Sequence, residues 1–173
     1  MDNPSNDLDL SDLRFLIVED QGFQRWTTDY ALRQLGATTV FSAADGRTAL
    51  EIYKSAEPPV DIIITDLHMP GMDGMEFIRH VAEYGAPVAL ILATDQDQSV
   101  ITSVETMTRA YGVYLLEGIK KPLTPKKLAV SISRFRRPVA RSIGIAPAAK
   151  ALFSLEEIVE AIDDNQFEPF FQP

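Results

Sequence analysis

Short apolar runs alternate with amphipathic stretches along most of this chain. Arg14-Phe-Leu-Ile-Val-Glu-Asp20 is apolar until it ends in two adjacent carboxylates. After Gly22, Phe23, Trp26, Tyr30, Ala31 and Leu35 recur at helical spacing, and Gly36 closes that helix. The spacing assigns Trp26 and Tyr30 to the core. Thr38–Ser42 is β-branched and aromatic, as a second strand should be. Asp45-Gly-Arg opens a helix carrying Ala49, Leu50 and Tyr53, and Pro58-Pro59 ends it. Ile62–Ile64 leads to Asp66 and then into a turn-rich segment with Pro70, Gly71 and Gly74. Met75, Ile78, Val81 and Ala82 mark the next helix, and Pro87–Thr94 a fourth strand ending in a hydroxyl. Ile101, Val104, Met107, Thr108 and Tyr111 give a fourth helix. A fifth strand starts at Val113 and runs towards Lys120-Lys121-Pro122. Thr124 as N-cap with Pro125 behind it opens a fifth helix, with Leu128, Ile132 and Phe135 inward.

Continuous apolar runs suit strands covered on both faces. Five of them alternating with five helices, with no tandem hairpins, predict an α/β fold: a doubly wound, five-stranded parallel sheet with helices on both faces. In such a sheet every strand's carboxyl end lies on one edge, where open α/β sheets place their binding sites. Glu19, Asp20, Asp66, Thr94 and Lys121 all fall at or just after such ends.

Composition narrows the field. The 173 residues are 46% hydrophobic and 24% charged, which fits one ordinary globular domain with a short appendage. Cysteine is absent, so thiolate metal sites and nucleophiles are excluded. No apolar run is long enough to span a bilayer and the start of the chain is acidic and polar, so a cytoplasmic location is expected. The formal charge of −9 disfavours nucleic acid and anionic membrane as partners. The local basic stretch Arg134, Arg136, Arg137 and Arg141 reads as a helix C-terminus and solvated linker.

Three carboxylates in one pocket repel one another and raise one another's pKa. A hard divalent cation, Mg2+ or Mn2+, relieves that and prefers oxygen ligands. A lysine at the same edge suits an anion, and a threonine hydroxyl can donate to a phosphoryl oxygen. These parts suit transfer of a phosphoryl group onto a carboxylate. Taken singly, Asp66 could cap a turn, Glu19-Asp20 could be a solvated strand end, and Thr94 could cap the following helix. His68 and His80 have no spaced partners and read as non-ligands through their side chains.

The acidic pair Glu19-Asp20, the run Asp66-Leu-His-Met-Pro-Gly-Met-Asp-Gly74, Thr94 and Lys121-Pro122 resemble the response-regulator receiver domain of two-component signalling, over residues 12 to 137. The resemblance implies a flavodoxin-like sheet of strand order 2-1-3-4-5. It makes Asp66 the phosphoacceptor, Asp20 a direct metal ligand with Glu19 beside it, and the backbone carbonyl of His68 a further ligand. Thr94 would bind the phosphoryl group, Lys121 would pair with its oxygens, and the peptide before Pro122 would be cis. The implied donor is a sensor histidine kinase or phosphotransfer protein. Output is expected through the face formed by the fourth helix, fifth strand and fifth helix, by homodimerisation or by contact with the next domain.

Two features depart from the family pattern. Gly118 stands where receivers carry an inward-swinging aromatic, with Tyr111 or Tyr114 as candidate substitutes. The segment Val113–Lys121 also runs about two residues long, like that of receivers joined to EAL domains. The expected organisation is a flexible leader (1–12), a receiver domain (13–137), a linker (138–153) and, from Ser154 to Pro173, a stretch resembling the opening of an EAL domain, a cyclic-di-GMP phosphodiesterase. The signature and metal ligands of an EAL domain are absent from these 20 residues, so the chain itself is expected to be no enzyme beyond self-phosphorylation and autodephosphorylation. The expected function is a phosphoacceptor module regulating an attached EAL output domain. The alternative is a receiver fold that binds partners without phosphate. A haloacid-dehalogenase-like hydrolase would need an aspartate where His68 stands, and a flavin binder would need a Ser/Thr/Gly-rich loop after the first strand.

Overall fold

The computed structural model describes residues 10–136. Five strands, β1 (Arg14–Val18), β2 (Thr39–Ala43), β3 (Ile62–Asp66), β4 (Ala89–Thr94) and β5 (Tyr114–Lys120), form one parallel sheet in the order β2-β1-β3-β4-β5. Between and after them come α1 (Gly22–Gln34), α2 (Gly46–Ser55), α3 (Gly74–Tyr84), α4 (Gln98–Ala110) and α5 (Pro125–Ile132). The alternation legible in the sequence is therefore the fold.

The sheet has a core on each face because successive strand residues point to opposite sides. Leu16, Val18, Ile63, Leu90 and Leu92 pack with Ala49 and Tyr53 of α2, Phe77, Ile78 and Val81 of α3, and Val104 of α4. Phe15, Ile17, Ile62, Ile64, Ile91 and Ala93 pack with Ala31 and Leu32 of α1 and Leu128 and Ile132 of α5. β3 is buried along its whole length, which explains why its sequence is a run rather than an alternation. Leu10, which the sequence places in a flexible leader, is 1% exposed and joins this second core with Leu13.

Helix starts are set locally. Asp45 and Asp73 accept hydrogen bonds from the amides of Thr48 and Glu76, and Thr124 accepts from Lys127 as the N-cap of α5. The assignment of Trp26 and Tyr30 to the core is wrong. Phe23 is 76% exposed, Trp26 60% and Tyr30 52%, and their rings stack along the outside of α1. The inner face of α1 is instead Thr28, Ala31 and Leu32. Both stripes have helical spacing, so periodicity identified the helix but not which stripe faces inward.

β5 contains a bulge: Leu115 pairs with Leu90 but Glu117 with Ile91. The extra residue accounts for part of the unusual length of this segment. Among the described residues no helix is long and apolar enough to cross a membrane. The linker and EAL-like tail expected after Arg137 lie outside the described residues.

Candidate functional site: an acidic pocket with one lysine

Parallel pairing brings the chemistry-bearing strand ends to one edge. β1 ends at Val18, so Glu19 and Asp20 follow at its carboxyl end, with the Glu19 amide donating to the Ala43 carbonyl of β2 at 3.1 Å. Asp66 is the last residue of β3 and pairs with Ala93. Thr94 ends β4, and its carbonyl accepts from the Lys121 amide at 3.0 Å. The peptide between Lys121 and Pro122 is cis, as the resemblance implies.

One oxygen from each of Glu19, Asp20 and Asp66 lies within 4.8 Å of the others. The Lys121 ammonium sits between two of them, 2.7 Å from Glu19 Oε2 and 2.7 Å from Asp66 Oδ2. These side chains are nearly inaccessible, at 6 to 7% exposure. Burial pushes the Glu19 carboxyl above its ordinary value, against the pull of Lys121. Burial would lower the Lys121 ammonium, but its hydrogen bonds to Asp66 and Glu19 outweigh this and hold it above the usual lysine value. The ammonium is therefore charged throughout the physiological range.

One lysine cannot balance three carboxylates. Asp20 Oδ1 is buried and has no hydrogen-bond partner. An orphaned buried carboxylate oxygen is costly, and a ligand that supplies positive charge removes the cost. The donor set consists of hard oxygens, which fits Mg2+ or Mn2+ and not a soft transition metal. Asp20 also lines an open cleft of about 550 Å³ with His68, Met69, Pro70, Met75 and Val104, giving the pocket a route to solvent.

The loop after Asp66 is folded tightly over the site. The His68 amide donates to Asp66 Oδ1 at 3.2 Å, and the Gly74 amide donates to the Leu67 carbonyl at 3.0 Å. A Cβ on Gly74 would collide with the backbone of Asp66 and Leu67, so only glycine lets α3 begin this close to the site. Thr94 is fully buried, and its hydroxyl accepts from the Gln96 amide at 3.1 Å. It is not the cap of α4, whose N-cap is Asp97.

Neither candidate substitute for the missing aromatic occupies the Gly118 position: Tyr111 and Tyr114 are both exposed. A methyl of Ile101, reaching down from α4, fills that notch so closely that a Cβ on Gly118 would collide with it. Ile101 itself is 2% exposed. Sequence reasoning missed this pairing, as it missed Arg25. The Arg25 guanidinium, one turn into α1, donates to the backbone carbonyls of Glu19 and Asp20. A lone arginine five residues after an acidic pair was the available signal.

The residues 15–133 match the model of the response regulator receiver domain, and the chain belongs to that family. It is 32% identical over 167 residues to the cyclic di-GMP phosphodiesterase RocR of Pseudomonas aeruginosa, covering 95% of this chain and 41% of RocR. It is 28% identical to the positive alginate biosynthesis regulatory protein of the same organism, covering 90% of this chain and 67% of that protein. The chain thus spans about two fifths of RocR's length. Among solved structures it resembles the CheX–CheY–BeF3–Mg complex of Borrelia burgdorferi (TM-score 0.61, 25% identity, 69% of this chain and 86% of that one). It also resembles a response regulator of Colwellia psychrerythraea (TM-score 0.59, 30% identity, 70% of this chain and 96% of that one).

Proposed function

We propose that this chain is a phosphorylation-operated input module, with Asp66 as phosphoacceptor, that controls a cyclic-di-GMP phosphodiesterase output domain. The observation that carries the chemistry is the Lys121 ammonium bridging Glu19 and Asp66 while Asp20 keeps an orphaned buried oxygen. Glu19, Asp20, Asp66 and the His68 carbonyl would hold Mg2+ or Mn2+, which when bound offsets the charge gathered between carboxylates and phosphoryl oxygens. An oxygen of Asp66 forms the new P–O bond, and the bond from phosphorus to the donor breaks with the electron pair leaving on the donor. Lys121 then turns from Asp66 Oδ2 to a phosphoryl oxygen. Thr94 exchanges its bond with the Gln96 amide for donation to another. Positioning and charge supply the rate enhancement.

The donor would be a sensor histidine kinase or phosphotransfer protein in the cytoplasm. The output reading rests on the similarity to RocR across 95% of this chain, together with the EAL-like opening at Ser154–Pro173. The domain limits that go with this reading are a receiver at 13–137 with Leu10 packed into its core, a linker at 138–153 and the start of an EAL-like domain at 154–173.

Incubation with Mg2+ and a small phosphodonor should add one phosphoryl mass to the intact chain, and Asp66→Asn should remove the adduct. An adduct that survives the substitution sinks the assignment of Asp66. A phosphate-independent binding module is favoured by one observation. Ile101 occupies the place of the aromatic that normally reports phosphorylation. That reading predicts no adduct and partner binding indifferent to Asp66→Asn.

A further inference from the structure

The strands that carry the acidic pair and the lysine are each followed by a helix with a basic side chain near its start. Arg25 of α1 donates through Nη1 to the Glu19 carbonyl and, at 3.3 Å, to the Asp20 carbonyl. Lys127 of α5 donates through Nζ to the Lys120 carbonyl at 2.7 Å and the Pro122 carbonyl at 3.1 Å. The gripped carbonyls belong to the metal-ligand candidates on one side of the pocket and to the two neighbours of Lys121 on the other.

We propose that Arg25 and Lys127 are positioning residues, each holding one wall of the pocket in its reactive geometry; this rests on the phosphoacceptor reading of Asp66. The need is physical. Glu19, Asp20 and Asp66 repel one another, and without restraint the elbow at residues 19–21 would turn its side chains outward. Apart from the Lys121–Glu19 ion pair, the restraints at that elbow are few. The Glu19 amide donates to Ala43, and Glu19 Oε1 accepts from the Gln21 amide at 3.3 Å. α1 has no side-chain N-cap bond of its own. Arg25 supplies what is missing, because one guanidinium nitrogen, Nη1, donates to both carbonyls and the planar group holds it there. Because Arg25 engages only backbone carbonyls, the Glu19 and Asp20 carboxylates stay available to the pocket. Lys127 does the same for the short loop at Pro122, where proline supplies no amide to tie the backbone.

Two opposed effects make the proposal testable by sign. As a charge, Arg25 repels a divalent cation, so removing it would tighten metal binding. As a positioning residue it organises the ligands, so removing it weakens binding. The half-buried position of Arg25 and its two carbonyl bonds favour the second effect. Lys127 is exposed, so its effect is smaller, and it falls on Lys121 rather than on the ion.

The experiment is isothermal titration of Mg2+ into the full chain, paired with phosphorylation rates at saturating Mg2+ from a small phosphodonor. Arg25→Met should weaken Mg2+ affinity by about tenfold, the scale seen when a residue that orients a ligand is lost. Arg25→Lys should restore part of this, because the ammonium keeps the charge and donors but lacks the planar guanidinium that fixes their direction. Lys127→Met should leave Mg2+ affinity within about twofold and slow phosphorylation about threefold, as expected for one exposed hydrogen bond. Metal-free melting temperatures check that each variant is folded, and if Arg25→Met is not, Arg25→Lys carries the test through its intermediate affinity. Unchanged or tighter binding in the folded Arg25 variants overturns the proposal, as does a Lys127→Met protein that loses metal affinity as Arg25→Met does. Failure of the unmodified chain to bind Mg2+ overturns both this inference and the reading of the pocket. Binding without any adduct at Asp66 overturns the phosphoacceptor reading and the Lys127 half of the proposal, while the Arg25 half is still decided by the Mg2+ affinities.

Discussion

The two ends of the sheet solve opposite electrostatic problems. At the amino end, Arg14 and Asp61 satisfy each other three times. The Arg14 guanidinium lies 3.2 Å from Asp61 Oδ2, the Arg14 amide donates to the same oxygen at 2.9 Å, and the Asp61 amide donates to the Arg14 carbonyl at 2.9 Å. Nearby, the Tyr53 hydroxyl donates to the Ala86 carbonyl, and burial pushes its pKa to about 12, so it stays neutral. At the carboxyl end, three carboxylates share one lysine and an oxygen is left over. The balanced end anchors β1 to β3. The unbalanced end is where binding free energy can be captured, because an excess of negative charge on partly buried groups favours a cation that offsets it.

If that contrast holds, substitutions at the two ends should act on different observables. The largest effect is expected from Asp20→Asn, which removes a charged oxygen donor. Mg2+ affinity should fall by about two orders of magnitude. The metal-free protein should at the same time become more stable, by about 1 kcal/mol, as one member of a repelling trio is neutralised. Calorimetry and metal-free denaturant melts together read both signs, and a destabilised Asp20→Asn protein would break the contrast.

Asp61→Asn is expected to come next. It leaves the partly buried Arg14 guanidinium without its carboxylate and should cost about 2 kcal/mol in denaturant melts. Its Mg2+ affinity should be unchanged. A loss of both would mean the two ends are coupled through β3.

The smallest effect is the pH dependence of metal-free stability. Glu19 has a folded pKa above 4.5 because of burial. Its contribution is therefore fully present below that ordinary value and is lost as pH rises through the raised folded value. Relative to Glu19→Gln, the metal-free protein should lose stability over that window. Lys121, also raised, keeps its contribution below the ordinary lysine value of 10.5 and loses it only at still more alkaline pH. Parallel pH profiles for the two proteins in chelator would contradict the burial of Glu19.

Legibility differed between the same regions. The sheet was readable because buried parallel strands are written as unbroken apolar runs, and the pocket because one edge collects every strand's carboxyl end. Glu19, Asp20, Asp66 and Lys121 were found this way, and the structure brings them together. What stayed hidden was orientation around a helix axis. α1 carries two stripes of helical spacing, and the more aromatic one, Phe23, Trp26 and Tyr30, faces outward. Contacts that depend on a backbone carbonyl or a missing Cβ were also hidden, since the residue type is visible but its partner is not. Arg25 on the carbonyls of Glu19 and Asp20, Gly74 against Asp66, and Ile101 in the notch at Gly118 are of this kind.

The ion pair between Lys121 and Asp66 closes a span of 55 residues. That span has a consequence during synthesis. A chain emerging from the ribosome presents Asp66 well before Lys121, and β3 has its outer neighbour β4 only once residue 94 is out. The nascent chain therefore exposes its acidic residues before it owns the lysine that pairs with two of them. The pocket is thus completed late and all at once, when the residue just after the fifth strand arrives.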